Sequence, residues 1–332
     1  MQRAVRAKVP ARAARWLTRA AFPASNSGHG RDEETTMAVV AVPERQIPGV
    51  YHRRVGEITV TALSDGFLVG SLDVLKNITP DAAAKMLTEA FRPVPRVTSV
   101  NCYAIHSGGR LALIETGCGN HMQASAGKLF ENMAAAGLDP AAVDTVMLTH
   151  MHPDHSNGLA DAEGRPFFPN AELVMHEDEW AHWHDDGRMS QANEQVRTRY
   201  FEMARMQARP YRDRLRPHRG GEVFPGVTAM PIPGHTPGHS GYVISSGKET
   251  LFIWGDIVHV PEVQIPRPEV AIEFDTDSNA AIATRRRILD MVATDRLLIG
   301  GMHVHFPGYA HIVRGAGGEG YAMVPEAWRQ AL

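Results

Sequence analysis

The stretch DTVMLTHMHPDHSNGL, residues 144–159, constrains this chain more than any other. A short apolar strand, DTVMLT, runs straight into six positions that hold His150, His152, Asp154 and His155. Imidazole and carboxylate are ligands for zinc and similar first-row ions. Where the chain turns at a strand end, alternate residues of a short loop point to one place. His150 and His152, two apart, can then bind one ion, while Asp154 and His155 swing round to a second point. This hexapeptide supplies half the ligands of a two-metal site, so the fold must bring the other half to it.

Three later stretches are suited to that task. PGHTPGHSGY places His235 after the strand candidate at 227–232, WGDIVH places Asp256 after 250–254, and GGMHVHFPG places His303 after 297–301. Each donor follows an apolar strand and sits near glycine, which lets backbone turn sharply beside an ion. Ligands gathered at strand ends suit an open site at a sheet edge. The chain has 17 histidines, so isolated ones need separate weighing. His106, His121, His176, His182, His184 and His218 are read as surface or satisfied core residues. His239 is read as support beneath the site or packing under its loop, and His259 and His305 as candidates to line it. Four ligand types at fixed spacing are too specific to be read the same way.

The rest of the chain is an ordinary globular sequence, 43% hydrophobic and 21% charged over 332 residues. A net charge of −3 gives no basic field for nucleic acid, and no apolar run reaches membrane-spanning length. Cys102 and Cys118 do not make a disulfide framework, which points to a reducing, cytoplasmic setting. Cys118 is read as a small packing residue rather than a nucleophile. Residues 1–45 form an Arg-rich extension, acid-free until Asp32, expected to be disordered. Its composition fits a transit peptide or a start site upstream of the true one at Met37. Residues 46–332 are taken as one domain. Alternation predicts a strand over 57–66, and GG at 108–109 predicts a hairpin between strands 100–107 and 110–116. Further strands are predicted at 172–177 and 240–246. Helices are expected over 79–91, with Thr79 as N-cap, over 121–137, ended by Gly137, over 177–184 and 191–208, and over 277–293, capped by Asp277 or Ser278. The run Arg285, Arg286 and Arg287 is read as a solvated face. Hairpin-like strands interleaved with helices suggest an α/β protein with mixed sheets and helices outside.

The ordered set His150-x-His152-x-Asp154-His155, His235, Asp256 and His303 resembles that of the metallo-β-lactamase superfamily. LALIETG resembles the superfamily's LIDTG strand, with Glu115 where aspartate is usual. VTALSDG, FPNAELV, GHTPGHS, GDIVHVPEVQ, FDTDS, HFPG and GGEGYAMVP extend the likeness over roughly residues 46–332, in a layout similar to methyl parathion hydrolase and its lactonase and esterase relatives. Asn157 stands where these often have glycine. The resemblance implies a four-layer αββα sandwich with metals at one edge of its two sheets. It implies His150, His152 and His235 on one ion, Asp154, His155 and His303 on the other, and Asp256 bridging. The implied cofactors are two divalent ions, zinc first, with manganese, iron or cobalt also compatible. A hydroxide shared by the ions would attack a lactone, ester or organophosphate triester, with Asp154 handling the proton. The expected partner is a small-molecule substrate, and the resemblance also implies a homodimer. Trp180, Trp183, Tyr200 and Phe201, in the insert before His235, are candidates for a substrate pocket or for helix core. His259 and Phe306 join them as pocket candidates. Alternatives are a glyoxalase II-like thioester hydrolase, a β-lactamase and, in another class, a persulfide dioxygenase-like iron oxidoreductase. A non-catalytic binding module would predict a broken ligand set, and this one is intact.

Overall fold

Alternation writes most of the strands. Ile58, Val60 and Ala62 point to one side of their strand and Leu63 to the other; Tyr103 and Ile105 oppose Cys102 and Ala104 in the same way. Successive strand residues face opposite sides, so a strand apolar on both faces must be covered on both.

The structure is a computed structural model that describes residues 46–315, 317 and 320–330. The reading of the N-terminal extension lies outside the described residues. Its strands in chain order are β1 (Val50–Val55), β2 (Ile58–Gly70), β3 (Leu75–Lys76), β4 (Arg96–Ser107), β5 (Arg110–Ile114), β6 (Thr145–Met147), β7 (Glu172–His176) and β8 (Leu215–His218). They continue with β9 (Gly221–Phe224), β10 (Val227–Pro231), β11 (Ser240–Ser246), β12 (Glu249–Ile253), β13 (Ala271–Ile272), β14 (Leu298–Gly300), β15 (Tyr309–Arg314) and β16 (Tyr321–Pro325). One seven-stranded sheet runs β1-β2-β4-β5-β6-β7-β8 and a second runs β16-β15-β14-β12-β11-β10-β9. β3 and β13 pair in a separate ribbon. Both large sheets are mixed: β5, β6, β7 and β8 run parallel to one another, as do β12 and β14, and the other pairs are antiparallel.

Three apolar layers hold the sandwich. The inner layer, with Val60, Ile105, Ile114, Ile244 and Ile253, lies between the sheets. A second packs Leu113, Val146 and Leu173 against the helical segments carrying Leu129, Trp183 and Phe201. A third packs Phe252, Trp254 and Ile299 against Ile288, Leu289 and Val292 of helix Ser278–Thr294. The fold is the expected αββα sandwich.

Most expected elements are present, and several are corrected. Thr79 caps helix Pro80–Glu89, and Asp277, accepting from Ala280 N at 3.0 Å, caps the last helix. Gly108 and Gly109 both have positive φ in the β4–β5 turn, the geometry that favours glycine there. The helix expected over 121–137 is only Leu129–Ala135. Loop 115–128 is instead organised from afar: the buried Asp65 carboxylate accepts from the backbone of Cys118, Gly127 and Leu129. The helix expected over 191–208 starts later, at Glu194 behind an Asn193 cap, and runs to Ala208 with a stretch of π type at Arg197–Glu202. Arg285 does not lie on a solvated face. It is buried and donates to the carbonyls of Ile257, Pro268 and Val270, which lie on the irregular chain beneath the helix.

Candidate metal centre

The donors converge at the ends of apolar strands from both sheets. The β6 end delivers His150 and His152, and the one-turn helix Pro153–Ser156 carries Asp154 and His155. The turns after β10, β12 and β14 deliver His235, Asp256 and His303. All are buried except Asp154, whose side chain keeps 17% exposure.

Asp256 lies at the centre. Its Oδ2 is 3.7 Å from His150 Nε2, 3.3 Å from His155 Nε2, 3.4 Å from His235 Nε2 and 3.2 Å from His303 Nε2. Donor atoms of His150, His152 and His235 lie within 4.8 Å of one another, as do those of Asp154, His155 and His303. These are the two triads the resemblance implied, with Asp256 between them. The Nε2 atoms of His150, His155 and His235 and Oδ1 of Asp256 are buried without a hydrogen-bond partner. Buried polar atoms are rarely left orphaned, and lone pairs aimed at one another are what a cation would satisfy. The donor set therefore fits divalent metals.

The groups behind the donors fix their orientation. His235 Nδ1 is 2.8 Å from Asp275 Oδ1, His303 Nδ1 is 2.8 Å from the Ser99 carbonyl, and His150 Nδ1 is 3.0 Å from Thr149 Oγ1. Glu115, with a positive φ, accepts from Thr149 N and sits 3.6 Å from His155 Nδ1. His239 takes the supporting role: Nδ1 donates to the Ile232 carbonyl, and Nε2 accepts from Asp256 N at 2.9 Å. Glu179, which sequence reasoning missed, is fully buried. Its carboxylate accepts from Met151 N, Gly238 N, the Trp183 indole and the Thr236 hydroxyl. It thereby ties the loop of His150 and His152 to the loop of His235.

The electrostatics follow from burial. Burial drives His150 and His152 well below the ordinary imidazole range. Burial also opposes charge on His155 and His235, but the surrounding carboxylates outweigh it; His155 is raised well above its ordinary value and His235 to about 9. Burial pushes the Cys118 thiol far upward, away from nucleophile chemistry.

A cavity of ≈ 640 Å³ opens onto Asp154, Asp256, His152, His259 and His303. His259, expected near the site, also stands 3.0 Å from Asp256 Oδ2. Among the expected aromatic residues, Tyr200 lines the cavity and the others do not. Trp183 and Phe201 pack behind it, with Trp183 5.6 Å ring to ring from His152. Trp180 stacks on His184, and Phe306 packs against the inter-sheet core. His305 turns instead to Glu262. His121, read as structural, lines the cavity, as does Asn157.

The metallo-beta-lactamase superfamily model matches residues 95–317. The chain belongs to the metallo-beta-lactamase superfamily. No curated protein matches it significantly. Among solved structures, hydrolase AbOPH of the beta-lactamase superfamily is 31% identical, with a TM-score of 0.81 over 86% of this chain and 100% of that one. AidC, a dizinc quorum-quenching lactonase, is 22% identical, with a TM-score of 0.80 over 85% and 99%. A probable metal-dependent hydrolase from Staphylococcus aureus is 20% identical, with a TM-score of 0.67 over 84% and 100%. The last two show shared fold. This superfamily member is a metallo-β-lactamase-fold hydrolase, and its fold and donor set imply divalent metal. No helix among the described residues is long and apolar enough to cross a membrane.

Proposed function

We propose that the protein hydrolyses a lactone, ester or organophosphate triester with two divalent ions, zinc first. The observation that carries this is the ring of buried imidazole nitrogens around Asp256 Oδ2, at the floor of a cavity open to a small molecule. His150, His152 and His235 would hold one ion, Asp154, His155 and His303 the other, and Asp256 both. Such ions supply Lewis acidity and a water acidic enough to ionise near neutral pH.

The chain's own residues supply the rest. Asp154 is the most exposed carboxylate of the set and lines the cavity, so it is placed to take a proton from the attacking water and return it to the departing oxygen. Asp275, Ser99 and Thr149 fix the rings of His235, His303 and His150. Tyr200, Leu68, Val74 and Phe274 give the cavity apolar walls suited to the body of such a substrate. Neither a serine nor a cysteine nucleophile is required. The 31% identity to hydrolase AbOPH supports hydrolysis, and the sequence's resemblance to methyl parathion hydrolase and its lactonase and esterase relatives supports the ester, lactone and phosphotriester classes.

Metal analysis of the purified protein, with a panel of acyl-homoserine lactone, aryl ester, methyl paraoxon, S-lactoylglutathione and cephalosporin, tests the reading. About two metals per chain with turnover among the first three is expected. Turnover of only the thioester or the β-lactam would overturn the substrate class, and one iron without hydrolysis would overturn the reaction.

A further inference from the structure

Arg96 begins β4 opposite Gly70, the last residue of β2. It lines the same cavity as the metal donors. It is only 9% exposed, and no carboxylate stands within ion-pair distance of it among the described residues. Asp154 across the cavity acts on it from further off, and that carboxylate is assigned above to the metals; a desolvated guanidinium is costly unless something compensates it. Protein acceptors use part of its capacity: Nε donates to the Ser71 carbonyl at 3.2 Å and Nη1 to Thr98 Oγ1. Nη2 donates to no group among the described residues. It lies over Gly70, where a side chain would begin only 2.8 Å from it. Glycine at position 70 gives the guanidinium room to lie there, at the wall of the cavity.

The lining repeats the same charge pattern. Its only carboxylates among the described residues are Asp154 and Asp256, both assigned above to the metals. Arg199, exposed and without an ion-pair partner among the described residues, is a second lining cation. Once the two aspartates are engaged by metal, the wall is cationic.

We propose that Arg96 selects substrates carrying a second, non-reacting carboxylate, so that the physiological ester or lactone is an acid anion rather than a neutral molecule. The planar guanidinium edge matches a carboxylate, and the pairing occurs where water is largely excluded. The inference rests on the hydrolase reading. A purely structural Arg96, tying the end of β2 to β4 through Ser71 and Thr98, would leave substrate charge without effect.

The test compares the metal-loaded enzyme on 4-nitrophenyl hydrogen glutarate, which carries a free carboxylate, and on neutral 4-nitrophenyl butyrate. The readout is the ratio of their kcat/KM values, in wild type, Arg96→Met and Arg96→Lys. Wild type should favour the anion roughly 10- to 100-fold, the worth of a charge-assisted contact. Arg96→Met should erase that preference through KM for the anionic ester, and Arg96→Lys should keep part of it. A wild-type ratio near one, or a ratio that Met leaves unchanged while both activities fall together, overturns the inference. Should the Met variant fail to fold, the wild-type ratio and the Lys variant still decide. Turnover of both esters without charge preference removes this inference alone. A metal-loaded enzyme that hydrolyses neither ester, nor any member of the panel above, removes the hydrolase reading as well.

Discussion

Glu179→Gln probes the scaffold without touching a proposed ligand. The carboxylate takes four hydrogen bonds in a site with no solvent exposure: Met151 N and the Trp183 indole on Oε1, and Thr236 Oγ1 and Gly238 N on Oε2. An amide can keep only one of these oxygens. If it keeps Oε1, the Thr236 hydroxyl can rotate to accept from the new NH₂, but Gly238 N then faces a donor. One buried N–H left unpaired costs about 1–3 kcal/mol, and two charge-assisted bonds weaken to neutral ones. The sum is about 3 kcal/mol, or a fall in Tm of roughly 6 °C for a chain of this size. Because the same bonds hold the loops of His150, His152 and His235 in register, metal affinity should also fall, by about 10- to 100-fold. Thermal unfolding of the metal-free protein separates the first effect, and competition with a chromophoric chelator measures the second. A metal-free Tm within about 1 °C of wild type, with unchanged metal affinity, would refute the reasoning.

His152→Ala or Asp256→Ala should lose bound metal and hydrolysis while far-UV circular dichroism stays native; metal content equal to wild type would remove the ligand assignment. Arg285→Leu strips the donors from three buried carbonyls and should cost about 3–5 kcal/mol, whereas exposed Arg286→Ala should stay within about 0.5 kcal/mol, both read by urea unfolding. His218, lowered to about 4 by burial and by its neighbours His176 and Arg216, should make the fold acid-sensitive. Between pH 6.5 and about 4 the unfolded chain binds a proton that the folded chain refuses, so stability falls as pH drops through that window, by about 3 kcal/mol at most. His218→Gln should flatten that slope in unfolding curves taken across the window, and an unchanged slope would show that other groups carry it.

The proposed metal donors were legible because each announces itself locally, as a histidine or aspartate just after an apolar strand, either in the 150–155 cluster or, for His235, Asp256 and His303, near glycine. Arg285 was legible in principle too. It shares a stripe with Ala281, Ile288, Leu289 and Val292, and that periodicity puts it inside, against the simpler reading of an arginine run as surface. Glu179 carried a fainter sign, an acid four residues before a tryptophan on one face of a short helix. Loop 115–128 carried none. Its helix-like composition loses to Asp65, more than fifty residues upstream, which gathers three backbone N–H groups that a helix would have used otherwise. A contact of that sequence separation leaves no pattern in the segment it reshapes.

The same distinction explains how the site is divided. Of the proposed ligands, His152, Asp154, Asp256 and His303 line the cavity, and changing a ligand is expected to remove a metal. The carboxylates that position them, Glu115, Glu179 and Asp275, are buried and point away from the cavity into the loops. Glu179 and Asp275 have partners on both oxygens, which an amide could not match, so they resist substitution without being seen by substrate. Arg96 is placed the other way: it is tied to the scaffold through Nε and Nη1 and also lines the cavity. A change there can alter which molecules are accepted while the donors stay where β6, β10, β12 and β14 put them. Substrate class is therefore expected to vary at the end of β2 and the start of β4, and metal chemistry to hold at the strand ends that carry the donors, on the same rim of the cavity.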